Sequence, residues 1–322
     1  MAAIDTFEVL HPGILTTVQD LGRPGFARYG VAPSGALDAF SLRVANLLVG
    51  NPEDAAALET AVMGLRLKAL RDAVVAVTGA DLKPMRGREL LPMWRSHRIR
   101  AGEVIAFPGP AGGMRSYIAV SGGIDVTPVL GSRSTNLPSG FGGVAGRALR
   151  KGDILRRVVV EDEFRFAGRV FEPAWVPAYP SRWRLRVVWG PQDDQFTEEG
   201  RQAFVTGIFR VSPDSDRTGI RLRGPAVSHR PGLSESIISE GVIAGAIQVP
   251  GDGQPIILLA ETTTGGYRKI ATVISADLPL LGRIMPGNEV AFSVVTLDEA
   301  VQALRESEEK IGEFKKRLAA LS

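Results

Sequence analysis

Four segments of this chain combine glycine-rich turns with polar side chains of the kinds that bind carboxylates and amides. In the first, Gln19, Asp20 and Arg23 lie just before Gly25. A guanidinium can donate two parallel hydrogen bonds to a carboxylate, and a glutamine side chain offers an amide both a donor and an acceptor. The segment therefore predicts recognition of a carboxylate or amide. The competing interpretation, favoured by spacing alone, is that Asp20 pairs with Arg23 and only holds a turn.

Two further segments carry hydroxyls beside glycines. Ser34 and Gly35 precede a predicted helix, whose free amides attract anions, although a plain N-cap by Ser34 is the simpler interpretation. Arg133 is followed by Ser134 and Thr135. A guanidinium flanked by hydroxyls predicts a cradle for an oxyanion, and a loop that satisfies its own hydrogen bonds explains the pattern equally well.

The fourth segment is the best single candidate for a site. It contains Gln248, then Thr264, a glycine pair, Tyr267 and Lys269. Glycines let backbone amides approach a ligand, while Tyr267 predicts a proton donor and Lys269 a cation. A hairpin tip with both side chains in solvent is the alternative.

These residues must be positioned by a fold rich in β-strands. The chain contains 37 glycines and 21 prolines, and its apolar runs are short and bounded by these residues, which is typical of β-domains with many turns. The pattern predicts eight strands: Ala73 to Thr78, Val104 to Phe107, Ser116 to Val120, Ile154 to Val160, Leu185 to Trp189, Ile256 to Ala260, Ala271 to Ser275 and Glu289 to Val295.

Three helices are predicted. The first spans about 38–49 and is stopped by Gly50. The second is short, capped by Asn51 and continuing to residue 58. The third closes the chain: Thr296 and Glu299 form a capping box, and an apolar stripe follows, more typical of domain packing than of a partner site. The stripe comprises Val301, Leu304, Ile311, Phe314 and Leu318.

Three turns around Gly102, Gly152 and Gly287 resemble one another, each placing glycine and a polar residue before an apolar strand. They suggest similar β units in both halves, although such turns are common in any barrel.

Three prolines near residues 171–180 predict the boundary between two domains. These are an N-terminal β domain over 1–172 and a C-terminal β-barrel domain with a terminal helix over 183–322.

Composition excludes several classes of function. The net charge is +3 with scattered basic residues, which disfavours nucleic-acid binding. There is no cysteine, so disulfides and thiolate chemistry are excluded. The three histidines lack the spacing of metal ligands, so no metal site is predicted.

The absence of a Walker A loop assigns any ATP chemistry to a different polypeptide. Neither a secretory signal nor a membrane span is predicted, which favours a cytoplasmic protein.

Seven ordered motifs resemble the allophanate hydrolase subunit 2 family, which includes the C subunit of 5-oxoprolinase. They are His11-Pro-Gly-Ile-Leu-Thr-Thr-Val-Gln-Asp-Leu-Gly-Arg-Pro-Gly25, Ser34-Gly-Ala-Leu-Asp38 with Ala45-Asn-Leu-Leu-Val-Gly-Asn51, Val77-Thr-Gly-Ala-Asp81, Ala119-Val-Ser-Gly-Gly-Ile-Asp125, Gly131-Ser-Arg-Ser-Thr135, Ser239-Glu-Gly-Val242 with Gly245-Ala-Ile-Gln-Val-Pro250, and Thr263-Thr-Gly-Gly-Tyr267 with Ile274-Ser-Ala-Asp-Leu278.

The resemblance implies a mainly β fold with two cyclophilin-like β-barrel domains and a few helices. It implies a hydrolase component, inactive alone, that works with the B subunit (the allophanate hydrolase subunit 1 type) and the A subunit to open 5-oxoproline, a small cyclic amide, to glutamate. ATP is then used by the complex, no cofactor belongs to this chain, and biotin is possible but not indicated. Alternatives are a regulatory protein that antagonises a kinase inhibitor, the carboxyltransferase half of a urea or allophanate type biotin-dependent system, and, by fold analogy alone, a prolyl isomerase.

Within this hypothesis the polar loops of both halves are expected to line one cleft. Tyr267, Lys269 and Asp20 are the predicted catalytic residues. Arg23 or Arg133 would anchor a carboxylate, while Lys269 and Tyr267 would stabilise charge developing on the amide carbonyl. The predicted substrate-binding set is Gln19, Arg23, Arg133, Ser134, Thr135, Gln248 and Thr264.

Overall fold

The computed structural model describes residues 2–320. Within them the chain forms two compact units. Unit 1 contains residues 2–23, 34–179 and 311–320, and unit 2 contains residues 24–33 and 180–310. Both units are therefore discontinuous in sequence.

Within the described residues, unit 1 contains eleven strands and one complete α-helix. The strands are β1 (Ala3–Pro12), β2 (Leu15–Gln19), β3 (Ala57–Ala61), β4 (Leu65–Ala69), β5 (Ala73–Asp81), β6 (Met85–Arg86), β7 (Glu89–Leu90), β8 (Arg95–Ile99), β9 (Val104–Ala106), β10 (Gly112–Val120) and β11 (Ile154–Val158), and the helix is α1 (Ala39–Leu48). They form a six-stranded sheet in the order β11-β1-β4-β9-β6-β7 and a five-stranded sheet in the order β2-β3-β10-β5-β8.

The five-stranded sheet is buried on both faces. Successive side chains of a strand point to opposite faces. In β5, Val75 and Val77 accordingly join the core shared with the six-stranded sheet, while Val74 and Ala76 join a second core with α1. This explains the continuous apolar run of β5, which a half-exposed strand would break with polar residues.

Helix α1 begins at a different cap from the one predicted. The Asp38 side chain accepts a hydrogen bond from the backbone N–H of Ser41 at 3.0 Å, so Asp38 is the N-cap. The cap predicted at Ser34 is therefore wrong. Ser34 lies four residues upstream with a φ of 54°, outside the helix.

The short second helix predicted after Asn51 is also wrong. Residues 52–55 form turns, and Leu58 belongs to β3, which pairs with β2 on one side and β10 on the other. The Asn51 side chain does not cap a helix, because its amide donates to the carbonyl of Val120 at 2.8 Å and its oxygen accepts from Gly122 N–H at 2.8 Å. Pairing within the sheet outweighs the helix propensity of the alanines.

Unit 2 is built around a closed barrel of seven strands in the order β12-β19-β16-β17-β14-β13-β20, with a separate two-stranded sheet of β15 and β18. Its strands are β12 (Arg182–Trp189), β13 (Phe209–Val211), β14 (Gly219–Arg223), β15 (Glu240–Gly241), β16 (Ala246–Val249), β17 (Ile256–Leu258), β18 (Thr264–Gly265), β19 (Arg268–Val273) and β20 (Glu289–Val294). Its helices are α2 (Glu198–Thr206) and α3 (Leu278–Leu281), and α4 (Leu297–Ala319) begins in unit 2 and ends in unit 1.

Most of the predicted elements are confirmed. All eight predicted strands are present, and the mainly β class with a few helices holds. The closed barrel lies in unit 2, whereas unit 1 keeps its strands in two sheets. Gly102, Gly152 and Gly287 all have φ near +87° and sit in the predicted turns before β9, β11 and β20.

The terminal helix α4 starts with the predicted capping box. The Glu299 carboxylate accepts from Thr296 N–H at 2.7 Å, and Thr296 Oγ1 accepts from Glu299 N–H at 3.2 Å. Its apolar stripe is buried only in the second half, where Ile311, Phe314 and Leu318 join the core of unit 1. Val301 and Leu304 remain 48% and 38% exposed. No helix within residues 2–320 has the length and apolar character needed to cross a membrane.

Candidate functional site

In unit 1, Asp20 joins the end of β2 to the loop 132–134. Its carboxylate accepts hydrogen bonds from Ser132 Oγ at 2.6 Å, from Ser134 Oγ at 2.5 Å and from the backbone N–H groups of Gly22 and Arg133. Asp20 is 7% exposed, so these bonds are shielded from water. The arrangement fixes the backbone on both sides of Arg133.

Arg23 and Gln19 are also buried, and hydrogen bonds to backbone groups hold both side chains. The Arg23 guanidinium donates to the carbonyls of Ser134 and Val129 and lies 4.8 Å from the centre of the Phe141 ring. Gln19 donates to the Thr135 carbonyl at 3.2 Å and accepts from Gly35 N–H at 3.1 Å, with 0% of its surface exposed. Both side chains therefore organise the loops around the site.

The loop that contains Ser134 and Thr135 is packed against the glycine run 140–146. Thr135 Oγ1 donates to the Val18 carbonyl at 3.0 Å and is fully buried. A Cβ on Gly142 would lie 2.1 Å from the Ser134 carbonyl oxygen, and one on Gly143 would lie 2.0 Å from Thr135 Oγ1. Glycine is thus required at both positions by close approach to the site loop.

Arg133 differs from its neighbours because its terminal groups are available. Its Nε donates to the Val126 carbonyl at 3.0 Å, and within residues 2–320 its two Nη groups have no hydrogen-bond partner. The half-buried side chain lines a cavity of about 220 Å³ together with Asp54, Gly123 and Asp125. Of the unit 1 residues predicted for the site, Arg133 is the one placed to contact a ligand in this cavity.

In unit 2, Lys269 lies in β19 with its side chain 7% exposed and its ammonium against the carboxylate of Glu240. The Gln192 side chain supports both groups, since it donates to Glu240 at 2.8 Å and accepts from the backbone N–H of Lys269 at 3.0 Å. The hydrogen bond from Lys269, followed by that from Gln192, lowers the pKa of the Glu240 carboxyl below its ordinary value of 4.5.

The other unit 2 residues predicted for the site surround this pair. Gln248 is 4% exposed and donates to the Tyr267 carbonyl at 3.2 Å, so it fixes the backbone of the glycine loop. Thr264 is exposed in β18, opposite Gly241 of β15. Tyr267 is 39% exposed. The predicted hairpin tip with Tyr267 and Lys269 in solvent describes Tyr267, but not the buried Lys269.

Sequence reasoning missed three residues of these clusters as individual candidates. Asp125 ends the Ser-Gly-Gly-Ile-Asp motif, and Glu240 lies within the Ser-Glu-Gly-Val motif. These motifs could therefore have identified both residues as candidates. Gln192 carried no such signal, because it lies 77 positions before Lys269 in a loop without a motif. Across residues 2–320, no group of three or more His, Asp or Glu side chains is arranged to hold a metal ion.

Comparison with known proteins places this geometry in a family. A family model described as carboxyltransferase domain, subdomain A and B, matches residues 29–294. The chain belongs to this carboxyltransferase-domain family. The resemblance inferred from the seven motifs is confirmed, since this chain is 37% identical over 304 residues to the 5-oxoprolinase C subunit of Escherichia coli, covering 94% of this chain and 95% of that protein.

Similar proteins contain this domain either as most of the chain or as one part of a longer chain. This chain is 34% identical over 297 residues to the 5-oxoprolinase C subunit of Haemophilus influenzae, covering 91% of this chain and 92% of that protein. The crystal structure of the K. lactis urea amidolyase superposes with a TM-score of 0.91 at 30% identity over 98% of this chain. The match covers 20% of that much longer chain, so in urea amidolyase the fold is one part of a larger polypeptide.

Proposed function

We propose that this chain is the C subunit of an ATP-dependent 5-oxoprolinase, which opens the cyclic amide 5-oxoproline to glutamate together with the A and B subunits. The observation that carries the proposal is the match to the 5-oxoprolinase C subunit of Escherichia coli over 94% of this chain and 95% of that protein. The two chains therefore correspond along nearly their full lengths, unlike a domain shared between otherwise different proteins.

The reaction defines what the complex must supply. Water adds to the lactam carbonyl, the C–N bond breaks, and the nitrogen leaves as the amine of glutamate, while a second water converts ATP to ADP and phosphate. A stable amide resists this addition, so negative charge on the carbonyl oxygen needs stabilisation. We assign the ATP to one of the partner chains, and this chain to binding and positioning.

The residue roles within this proposal follow from the two clusters. In unit 1, Arg133 anchors a carboxylate, and Asp20 positions it through the hydrogen bonds to residues 132–134. In unit 2, Lys269 is the cation for a developing oxyanion, with Tyr267 as the proton donor. Gln19, Arg23, Ser134, Thr135, Gln248 and Thr264 shape the loops that carry these groups.

The test is reconstitution. The chain is co-purified with its candidate A and B subunits, and glutamate release from 5-oxoproline is measured with and without ATP. ATP-dependent release that requires all three chains supports the proposal. A complex that assembles but releases no glutamate, with 5-oxoproline and ATP both present, contradicts it.

A second candidate is the carboxyltransferase part of a urea carboxylase type system. It is supported by the TM-score of 0.91 to the K. lactis urea amidolyase. The two functions are separated by adding avidin to the reconstituted complex. Glutamate release that persists with avidin favours the hydrolase, whereas an activity abolished by avidin requires biotin and favours the carboxyltransferase.

A further inference from the structure

The cavity beside Arg133 contains opposite charges that are not paired with each other. Within residues 2–320, the Nη groups of Arg133 and the carboxylate of Asp125 have neither hydrogen-bond nor ion-pair partners, although both side chains line the cavity. Both side chains are half-buried, and a charge withdrawn from water gains most from a partner of the opposite sign. The cavity is therefore suited to a small ligand that carries both an anionic group and a hydrogen-bond donor.

The backbone around both residues is fixed. The N–H of Asp125 donates to the Arg156 carbonyl at 2.8 Å, and the N–H of Arg133 donates to the Asp20 carboxylate. Gly122, which also lines the cavity, has a φ of 90°, and a Cβ there would lie 2.0 Å from the Val158 carbonyl oxygen. The wall is thus built from rigid elements, which is what a specific small-molecule site requires.

The volume of the cavity limits the size of the ligand that it can bind. At about 220 Å³ the cavity exceeds the space of a few waters, yet it is smaller than the roughly 300 to 1,000 Å³ of pockets for drug-sized molecules. A five-membered ring that carries a carboxylate suits this volume, whereas a nucleotide does not.

We propose that this cavity binds a small carboxylate that carries an N–H donor, with Arg133 on the carboxylate and Asp125 accepting the N–H. The proposal rests on the proposed function for the identity of that ligand as 5-oxoproline, whose lactam N–H lies next to the carbon that bears its carboxylate. Asp125 then determines specificity, because only a ligand with a free N–H satisfies its carboxylate. Asp54 lines the same cavity but is exposed to solvent, so water satisfies it without a ligand.

The test compares ligands that lack one recognised group. For the reconstituted complex, calorimetry measures the dissociation constants of 5-oxoproline, of N-methyl-5-oxoproline without the N–H, and of 2-pyrrolidinone without the carboxylate. The wild type should bind each truncated ligand at least about tenfold more weakly than 5-oxoproline. Asp125→Ala, which has no side-chain acceptor, should remove the discrimination against the N-methyl ligand, and Arg133→Gln should remove the discrimination against 2-pyrrolidinone.

Matched variants distinguish a specific loss of ligand discrimination from a general loss of folding or binding. Asp54→Ala, in the same cavity, and Arg88→Gln, at an exposed turn of the same unit, should keep both discriminations. If Asp125→Ala and Arg133→Gln keep them as well, in a complex that turns over 5-oxoproline, the cavity assignment is overturned and the proposed function stands.

The opposite outcome is also informative. If the wild-type complex does not turn over 5-oxoproline, the proposed function fails, and the cavity is judged by binding of 5-oxoproline and glutamate alone, since each carries a carboxylate and an N–H donor. Binding that is lost in Arg133→Gln and kept in Arg88→Gln supports the cavity. Absence of binding by both ligands overturns it.

Discussion

The ammonium of Lys269 contacts the carboxylate of Glu240, and the two side chains differ sharply in exposure, at 7% for Lys269 and 44% for Glu240. The exposed carboxylate can leave for water at small cost, so this ion pair opens readily. It keeps a buried cation in place while leaving a path by which a ligand anion could replace the carboxylate. The Lys269 and Glu240 pair is thus better suited to exchange than to structure.

Lys269→Ala should lower the kcat of the reconstituted complex by about 100-fold, because the variant loses the cation proposed to stabilise the developing oxyanion. Glutamate release at saturating 5-oxoproline is the measurement, with thermal melting as the check on folding. Lys310→Ala, which removes an exposed lysine of the same unit, is the control. Full activity of Lys269→Ala would show that the role belongs elsewhere.

The contact between Lys269 and Glu240 should weaken in acid. Since the pKa of Glu240 is lowered in the folded protein, the ionised carboxylate stabilises β15 at pH values above 4.5, and this contribution is lost as the pH falls through the lowered value. Amide exchange of Val242, whose N–H donates to the Thr263 carbonyl at 3.0 Å, and of Gly265, corrected for intrinsic rates, should therefore accelerate below pH 4.5.

Glu240→Gln supplies the control for that pH dependence. A glutamine keeps the shape but has no charge to lose, so exchange at Val242 should already be faster at neutral pH and should show no further step in acid. An acid step of unchanged size in Glu240→Gln would assign the titration to another group.

How far the sequence predicts this molecule depends on whether the signal is local. The strand β5 and the capping box at Thr296 are determined by neighbours in sequence, and both were predicted. The strand β3 was not, because Ala57 and Leu58 carry helix propensity, and only their pairing with β2 and β10 shows that they belong to a sheet.

The same limit applies to the site. The side-chain types at positions 20 and 133 predicted a site that binds a carboxylate or an oxyanion. However, Asp20 and Ser134 are 114 positions apart, and no spacing in the sequence shows that they share a hydrogen bond. The predicted turn interpretation needed only contacts within the segment. The structure gives Asp20 one contact within the segment, from the N–H of Gly22, and three partners in the loop 132–134, which the sequence could not reveal without the sheet order.

Asp20→Asn should destabilise unit 1 by roughly 2 to 4 kcal/mol, because an amide replaces one carboxylate oxygen and leaves buried donors unsatisfied. Urea unfolding monitored by tryptophan fluorescence measures the change. Asp125→Asn is the matched variant: its carboxylate has no hydrogen-bond partner within residues 2–320, so its midpoint should stay close to that of the wild type. Equal losses in the two variants would contradict the role given to Asp20.

The glycine run 140–146 provides a pair of substitutions with the same backbone requirement and different surroundings. Gly140 and Gly142 have φ of 67° and 73°, so alanine at either position costs roughly 1 to 2 kcal/mol of backbone strain.

A Cβ at Gly140 meets no atom within 4 Å, whereas one at Gly142 lies 2.1 Å from the Ser134 carbonyl. Gly142→Ala should therefore lose roughly 3 kcal/mol or more and displace the loop that holds Arg133, while Gly140→Ala loses only the strain. Denaturant midpoints give the stabilities, and calorimetry with 5-oxoproline gives the affinity. If Gly140→Ala weakens binding as much as Gly142→Ala, close packing against Ser134 is not what positions Arg133.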